Sequence, residues 1–285
     1  MSALPEQHVP LRLQLLQTAE APSQPLLAAA PVRLHERLTD EYWLLRLDAP
    51  EIARRAQPGQ FAMLTIARAD EISPVLPRPM ALYDWDAAAG TVDFVYKLVG
   101  EGTRRLTTWT AGEAMTVVGP LGRGFTVPDS GSLLLLGRGI GICSVTSLGA
   151  AARRAGAGVH AVLSARTPQA LVGGDFLREA GASTVIEVTD ADGSSRPEAL
   201  RPELMRLVAE HGVDRIAVCG SNRLLRLAVE LSAPTGASVE VSLEAHMACG
   251  LGYCHGCSTG HPGLAEESPL VCRDGPVFAY SGAGQ

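Results

Sequence analysis

Residues 247–257 read Met247-Ala-Cys249-Gly-Leu-Gly-Tyr-Cys254-His-Gly-Cys257, and a further cysteine, Cys272, follows after fourteen residues. The spacing C-x4-C-x2-C with a distant fourth cysteine is that of the ligands of a plant-type cluster of two irons and two sulfides. Such a cluster takes three of its thiolates from one tight loop. The stretch therefore predicts a small cluster-binding domain at this end of the chain.

The glycines between these cysteines fit such a loop. Gly250, Gly252 and Gly256 fall where the backbone must turn sharply and bring N–H groups close to the sulfurs. Four cysteines also satisfy tetrahedral zinc, but structural zinc sites usually present two separated pairs. A disulfide framework suits small secreted chains, and no secretory signal precedes this one.

Composition places the chain among globular proteins of about two or more domains. It has 285 residues, of which 46% are hydrophobic and 19% charged, and its formal net charge is −6. The negative charge gives no basic face for nucleic acid, and no apolar run is long enough for a membrane helix. Free cysteines for iron suit a reducing compartment, so the expected location is cytoplasmic.

Changes in pattern divide the chain into four segments. Residues 1–31 are rich in proline and are expected to form an N-terminal extension, either poorly ordered or packed on a partner subunit. Residues 32–128 are predicted to form an antiparallel β-barrel, residues 129–240 an α/β nucleotide-binding domain with a parallel sheet, and residues 241–285 the cluster domain.

Short apolar runs predict the barrel strands, and glycine-containing turns separate them. The predicted strands are Tyr42–Leu47, Phe61–Ile66, Thr91–Tyr96 and Ala114–Val118. The run Gly119-Pro-Leu-Gly122 is interpreted as a loop that ends this region.

Two segments of the barrel have residues suited to a cofactor. Arg78-Pro-Met-Ala-Leu-Tyr83 combines a cation that can pair with a pyrophosphate and an apolar surface that suits a flavin ring. Tyr96–Leu106 predicts a strand that runs through glycines into a helix, a geometry that attracts phosphate. Either segment alone is also compatible with an ordinary structural turn.

Strands and helices alternate from Ser132 onward, which predicts a parallel sheet. The run Gly137-Arg-Gly139-Ile-Gly141 follows the first of these strands, but its spacing is not that of the common dinucleotide motif. Nucleotides bind at the carboxyl ends of such strands. The candidate edge therefore includes Gly137–Gly141, Ser164–Thr167, Thr189–Gly193 and Cys219–Asn222.

In this order, the three predicted domains resemble the electron-transfer subunit of the NAD-linked, two-subunit dihydroorotate dehydrogenases, within the ferredoxin-NADP reductase superfamily. The matching motifs cover about residues 32–285: Arg78-Pro79, Tyr96-Lys97, Gly100-x-Gly102-Thr103, Gly119-Pro-Leu-Gly122, Gly139-Ile-Gly141, Thr189-Asp-x-Asp-Gly-Ser194, Ser242-Leu-Glu244, the cysteine loop and Val271–Phe278.

The resemblance implies FAD, a 2Fe-2S cluster and NAD(P)H as cofactors, with FAD as the junction between hydride and single-electron transfer. It also implies a hetero-oligomer with an FMN-containing catalytic subunit similar to dihydroorotate dehydrogenase. The implied cluster ligands are Cys249, Cys254, Cys257 and Cys272. The other residues implied to bind cofactors are Arg78, Pro79, Met80, Ala81, Tyr96, Lys97, Gly102, Thr103, Gly139, Ile140, Gly141, Cys219 and Gly220.

The chain departs from the family pattern around the expected contact between flavin and nicotinamide. Ala81 stands where the family usually has a serine or threonine, Arg138 interrupts a triple glycine, and Cys143-Ser144 and Ser221 replace prolines. These changes leave two alternatives open. The expected function remains that of an electron-transfer flavoprotein subunit between NAD(P)H and a partner oxidoreductase; the alternatives are a conduit that has lost its nicotinamide site and serves another partner, and a zinc-stabilised scaffold without redox activity.

Overall fold

The computed structural model describes residues 13–14, 24–260 and 268–280, and the fourteen strands in these residues form two seven-stranded sheets. Among the described helices, none has the length and apolar character to cross a bilayer. The strands of the first sheet are β2 (Leu26–Arg37), β3 (Tyr42–Asp48), β4 (Phe61–Leu64), β5 (Arg78–Ala81), β6 (Asp84–Asp86), β7 (Thr91–Lys97) and β8 (Ala114–Leu121). Those of the second are β1 (Leu13–Gln14), β9 (Ser132–Arg138), β10 (Gly158–Ala165), β11 (Thr184–Thr189), β12 (Arg215–Cys219), β13 (Ser238–Ser242) and β14 (Val277–Tyr280). The helices are α1 (Pro50–Arg55), α2 (Glu101–Leu106), α3 (Ile142–Ala155), α4 (Gly174–Glu179), α5 (Pro197–His211) and α6 (Asn222–Ser232).

The first sheet curls into an antiparallel barrel. Its strand order is β5-β4-β8-β2-β3-β7-β6, so β5 and β6 lie at its two edges. Only Leu82 and Tyr83 separate these two strands along the chain. The edges must therefore meet, which confirms the predicted barrel.

Strand β7 is buried on both faces because the barrel packs against the α/β domain. Phe94 and Tyr96 point into the barrel core, where they join Leu45. Val95, on the opposite face, belongs to the cluster that contains Ile142 at the start of α3. The hydrophobic run in this strand thus joins the two domains.

The barrel begins earlier than residue 32 and includes a segment predicted to be a loop. Strand β2 starts at Leu26, which pairs with Gly119 of β8. Residues 26–31 pair with β8 as far as Gly119, and Leu121 at the end of β8 pairs with Phe61 of β4. The short alanine-rich run before residue 32 gave a weak strand signal, because alanine is depleted in strands.

The second sheet has the predicted α/β architecture. Strands β11, β10, β9, β12 and β13 are adjacent in that order and parallel. Leu133 and Leu135 of β9 pack towards α3, while Leu134 and Leu136 pack towards α5 and α6. A parallel strand covered on both faces requires such a continuous apolar run.

The two ends of the chain extend this sheet. Strand β14 pairs antiparallel with β13, so the cysteine loop is an excursion between two neighbouring strands, and residues 277–280 complete the α/β sheet. Leu13 and Gln14 pair with Tyr280 and Ala279. The rest of the expected extension up to residue 23 lies outside the described residues.

Candidate cofactor sites

The four cysteines of the terminal loop lie together, and contacts between them suggest two pairs. Sγ of Cys257 is 3.2 Å from Sγ of Cys272, and the backbone N–H of Cys254 donates to Sγ of Cys249 over 3.4 Å. Cys257 and Cys272 are buried, whereas Cys254 is exposed, and all four are free thiols. Two thiolates for each iron is the arrangement that a two-iron cluster needs.

Backbone N–H groups donate hydrogen bonds to three of these sulfurs, among them that of Cys257, which accepts from Cys272 over 3.4 Å. Leu251 and Cys254 both donate to Sγ of Cys249 over 3.4 Å, and Gly252 donates to Sγ of Cys272 over 3.1 Å. Burial raises the pKa of Cys249, but the N–H donors outweigh it and lower that pKa to about 7. The thiolate is the form that binds metal.

Left-handed backbone conformations give the loop its curvature. Gly250 and Gly252 have φ values of 70° and 77°, as the sequence predicted for a sharply turning loop. Gly256 lies outside this region, and its neighbour His255 adopts it instead, with φ of 57°. His255 is exposed.

The cysteine loop is seated on the outside of the barrel. Cys257 and Cys272 share a buried cluster with Met63 of β4 and Leu121 of β8. A Cβ atom at Gly250 would lie 2.5 Å from Cγ of Met63. The glycine therefore permits close contact between the loop and the barrel wall.

The donor arrangement distinguishes a cluster from a single ion. Structural zinc requires four ligands around one point, whereas a two-iron cluster spreads its four thiolates over two metals. The paired cysteines fit the cluster.

Arg78 and Gly102 form a second candidate site on the barrel. A Cβ atom at Gly102 would lie 2.5 Å from Nε and 2.7 Å from Nη2 of Arg78. Among the described residues, the only hydrogen-bonding partner of the guanidinium is the carbonyl oxygen of Leu76, 2.6 Å from Nη1. Nε and Nη2 thus remain available for an anion beside the glycine, an arrangement that fits a pyrophosphate.

Thr103 shapes this loop through its hydroxyl. Its Oγ1 accepts from the backbone N–H of Val99 over 3.0 Å and of Gly100 over 3.1 Å. It lies 3.1 Å from the carbonyl oxygen of Gly100, to which it donates. The hydroxyl therefore holds the turn that presents Gly102 to Arg78.

Pro79, Met80 and Ala81 continue β5 from Arg78. Pro79 pairs with Met63 and Ala81 with Phe61, so both lie next to the strand that supports the cysteine loop. Pro79 and Ala81 are partly exposed, while Met80 is buried. Strand β5 thus connects the two candidate sites.

Tyr96 and Lys97 serve the barrel itself. Tyr96 is 1% exposed, and its hydroxyl lies 2.8 Å from Nε2 of His35, whose Nδ1 lies 2.8 Å from the carbonyl oxygen of Trp109. Lys97 forms a 2.6 Å ion pair with Glu41. The structure places the Tyr96 side chain in the barrel core, apart from the surface that Arg78 presents.

The glycine loops of the α/β domain meet at the carboxyl edge of its sheet. Residues Gly139, Ile140 and Gly141 form one helical turn after β9, and a Cβ atom at Gly141 would lie 2.7 Å from Cα of Gly220. Cys219 is fully buried beneath this contact, and burial raises its pKa to about 12. A cavity of about 290 Å³ opens beside Gly220, where a nucleotide is expected in this fold.

A charged network lies at the same edge. Nη2 of Arg138 is 2.6 Å from Oδ2 of Asp190, and Nη1 is 2.7 Å from Oγ of Ser164. Nη2 of Arg223 is 2.8 Å from Oδ1 of Asp190. Hydrogen bonds from Arg138, Ser195 and Arg223, in that order of effect, hold the pKa of Asp190 well below its usual range.

Sequence reasoning placed Arg138 and Asp190 at this edge but did not connect them. Arg223, near the start of α6, and Met63, under the cysteine loop, were not identified. Arg223 directly follows the predicted range Cys219–Asn222 at the end of β12. This position in the sequence could have identified it as part of the same edge. No such signal exists for Met63, because the sequence of an apolar strand does not show which loop will cover that strand.

The cysteine loop and the length of the chain both match known proteins. The family model of the iron-sulfur cluster binding domain of dihydroorotate dehydrogenase B matches residues 244–282. A Listeria monocytogenes protein named dihydroorotate dehydrogenase B (NAD(+)), electron transfer subunit, is 33% identical over 78% of this chain and 85% of its own. Its namesake from Geobacillus thermodenitrificans is 31% identical over 85% of this chain and 92% of its own.

Solved structures agree on the architecture. A chain in the structure of an NADH-dependent reduced ferredoxin-NADP oxidoreductase, described in connection with flavin-based electron bifurcation, has a TM-score of 0.73 and 25% identity, with 88% of each chain covered. A Neisseria gonorrhoeae ferredoxin NADP+ reductase with bound FAD and NADP has a TM-score of 0.58 and 18% identity, covering 74% of this chain and 92% of its own. By its length, cysteine loop and fold, the present chain belongs to the family of dihydroorotate dehydrogenase B electron transfer subunits.

Proposed function

We propose that this chain is an electron-transfer flavoprotein subunit that passes electrons between NAD(P)H, FAD, a 2Fe-2S cluster and a partner oxidoreductase. The observation that carries the proposal is the seating of the cysteine loop, through Cys257 and Cys272, on the barrel wall next to the strand that bears Arg78. Electron transfer needs the two redox sites close together. Strands β4 and β5 provide that proximity.

The FAD site is built from residues of the barrel. Arg78 would pair with the pyrophosphate, and Gly102 leaves room for the guanidinium above the turn that Thr103 holds. FAD, when bound, accepts a hydride and releases electrons singly. The carboxyl edge of the α/β sheet, around Gly141 and Gly220, would hold the nicotinamide nucleotide.

The four cysteines would hold the cluster, with Cys249 and Cys254 on one iron and Cys257 and Cys272 on the other. The backbone N–H donors that favour the thiolates also tune the potential of a bound cluster. Free thiols of this kind suit a reducing compartment such as the cytoplasm.

The partner is proposed to be the FMN-containing catalytic subunit of a dihydroorotate dehydrogenase, because the named relatives are electron transfer subunits of that enzyme. The cysteine loop presents Leu251, 52% exposed, and Tyr253, 90% exposed, next to the exposed Cys254. Aromatic and apolar residues at a surface suit a protein interface. Electrons would leave or enter the cluster through this face.

The departures around the nicotinamide site favour a second candidate, a conduit that receives electrons only from its partner. Ala81 lacks a hydroxyl, and Arg138 occupies the nucleotide edge through its pair with Asp190. A third candidate is a zinc-stabilised scaffold. The presence of four cysteines is compatible with it, but their arrangement in two pairs does not favour it.

Metal, sulfide and flavin analysis of the anaerobically purified chain tests the proposal. About two irons and two sulfides per chain are expected, together with FAD. Zinc in place of iron, without acid-labile sulfide, would support the scaffold. A protein with iron and FAD that only its partner can reduce would support the conduit.

A further inference from the structure

Arg138 bridges the carboxyl ends of three parallel strands. It is the last residue of β9, its Nη1 lies 2.7 Å from Ser164 on β10, and its Nη2 lies 2.6 Å from Asp190, which directly follows β11. Only 18% of its side chain is exposed. This position is where the fold receives the phosphates of a dinucleotide.

Arg138 is not the only cation beside Asp190. Nη2 of Arg223 lies 2.8 Å from Oδ1 of Asp190 and 3.1 Å from Oγ of Ser195, and the Ser195 hydroxyl also donates to the carboxylate. Two guanidiniums thus share one carboxylate, which leaves the three groups with a surplus positive charge. If the Arg138 side chain moved away, Asp190 would keep a cation and a hydroxyl.

The backbone around Arg138 is fixed, but space lies next to it. A Cβ atom at Gly220 would lie 2.2 Å from the carbonyl oxygen of Arg138, so the two loops are in close contact there. At Gly139, with φ of 56°, a Cβ atom would meet no described atom within 4 Å. The main chain is therefore held in place here, and a ligand that enters the open space beside Gly139 lies next to Arg138.

We propose that Arg138 exchanges its partner Asp190 for a phosphate group of the bound dinucleotide. The inference rests on the proposed function, since it takes the nicotinamide nucleotide as the ligand of this edge. A guanidinium pairs bidentately with a phosphate as well as with a carboxylate. After the exchange, Arg138 is therefore paired with the phosphate and Asp190 with Arg223. The phosphate belongs either to the diphosphate that all such ligands share or to the 2′-phosphate of the NADP type.

Calorimetric titration of the FAD- and cluster-loaded chain with ADP-ribose and with 2′-phospho-ADP-ribose tests the exchange without redox chemistry. Arg138→Ala is expected to weaken binding on the order of tenfold, as for the loss of a charge-assisted hydrogen bond, and to reduce its salt dependence. Arg201→Ala is the matched control, because Arg201 also pairs with a carboxylate, that of Glu230, but between α5 and α6. An equal loss for both ligands identifies the diphosphate. A loss confined to the phosphorylated ligand identifies the 2′-phosphate.

Asp190→Asn provides the reciprocal variant. It removes the charge that competes for Arg138, so binding is expected to tighten several-fold. Unchanged or tighter binding by Arg138→Ala, or weaker binding by Asp190→Asn with FAD and cluster retained, would overturn the exchange while leaving the proposed function intact. If the unaltered holoprotein bound neither ligand, the exchange and the nicotinamide part of the proposed function would both fail.

Discussion

Gly250 of the cysteine loop lies directly against Met63 of the barrel, where a Cβ atom would approach Cγ of Met63 to 2.5 Å. Gly250→Ala is therefore expected to push the loop off the barrel wall at a cost of about 1–3 kcal/mol, as for an overpacked core. The cluster should then be lost faster on exposure to an iron chelator, and the loss of its absorbance measures the rate.

Gly260→Ala is the control for backbone strain. Gly260 has the same φ of 70° but a Cβ atom there meets no described atom within 4 Å. If both variants lost the cluster at the same rate, strain and not contact with Met63 would explain the effect.

Gly102→Ala tests the flavin site. The added methyl would displace the guanidinium of Arg78, whose Nε it would approach to 2.5 Å, while alanine favours the helix that contains residue 102. FAD affinity is expected to fall tenfold or more without loss of thermal stability of the flavin-free protein. Fluorescence titration of that form with FAD measures the affinity.

Gly100→Ala is the matched control in the same turn, because its backbone is extended, with φ of −160°, and its surroundings are open. It should bind FAD normally. Equal FAD affinity of the two variants would show that Arg78 and Gly102 are not part of the FAD site.

Cys254→Ser tests the ligand assignment. Losing one of four thiolates should strip most of the iron and sulfide while FAD stays bound to the barrel, and metal, sulfide and flavin analyses measure all three. Cys143→Ala, which removes a buried thiol of α3, should keep the cluster. A full iron and sulfide content in Cys254→Ser would contradict the assignment.

The sequence predicted the parts of the site that are local and missed those that depend on pairing between distant segments. The cysteine spacing and the run Leu133–Leu136 encode their own structure. The pairing of β14 with β13 and of Arg138 with Asp190 is not visible in either partner alone, because it depends on how the sheet is assembled.

His160 predicts a loss of stability in acid. The residue is 3% exposed, and its Nδ1 lies 3.0 Å from Oγ1 of Thr184. Its ring stacks on that of His211, with the two ring centroids 4.2 Å apart. Burial, and then the charge of His211, lower its pKa below the usual 6.5. As pH falls below that value, the unfolded chain binds a proton that the folded chain resists, so the free energy of unfolding decreases.

Urea unfolding of the protein above and below pH 6.5 measures this effect. His160→Gln should weaken the dependence, to which His35, whose pKa burial also lowers, contributes the rest, whereas replacing the exposed His246 with glutamine should leave it unchanged. An equal acid response in the unaltered protein and His160→Gln would place the sensitivity elsewhere.

The most direct test of the account is an anaerobic absorption spectrum of the purified chain before and after addition of NADH and then NADPH. The account predicts a yellow-brown protein whose flavin and iron-sulfur bands are both bleached by at least one of the two nucleotides. A colourless, zinc-loaded protein would contradict electron transfer altogether. Bands that dithionite bleaches but neither nucleotide does would contradict the nicotinamide site at Gly141 and Gly220 and leave the partner as the source of electrons.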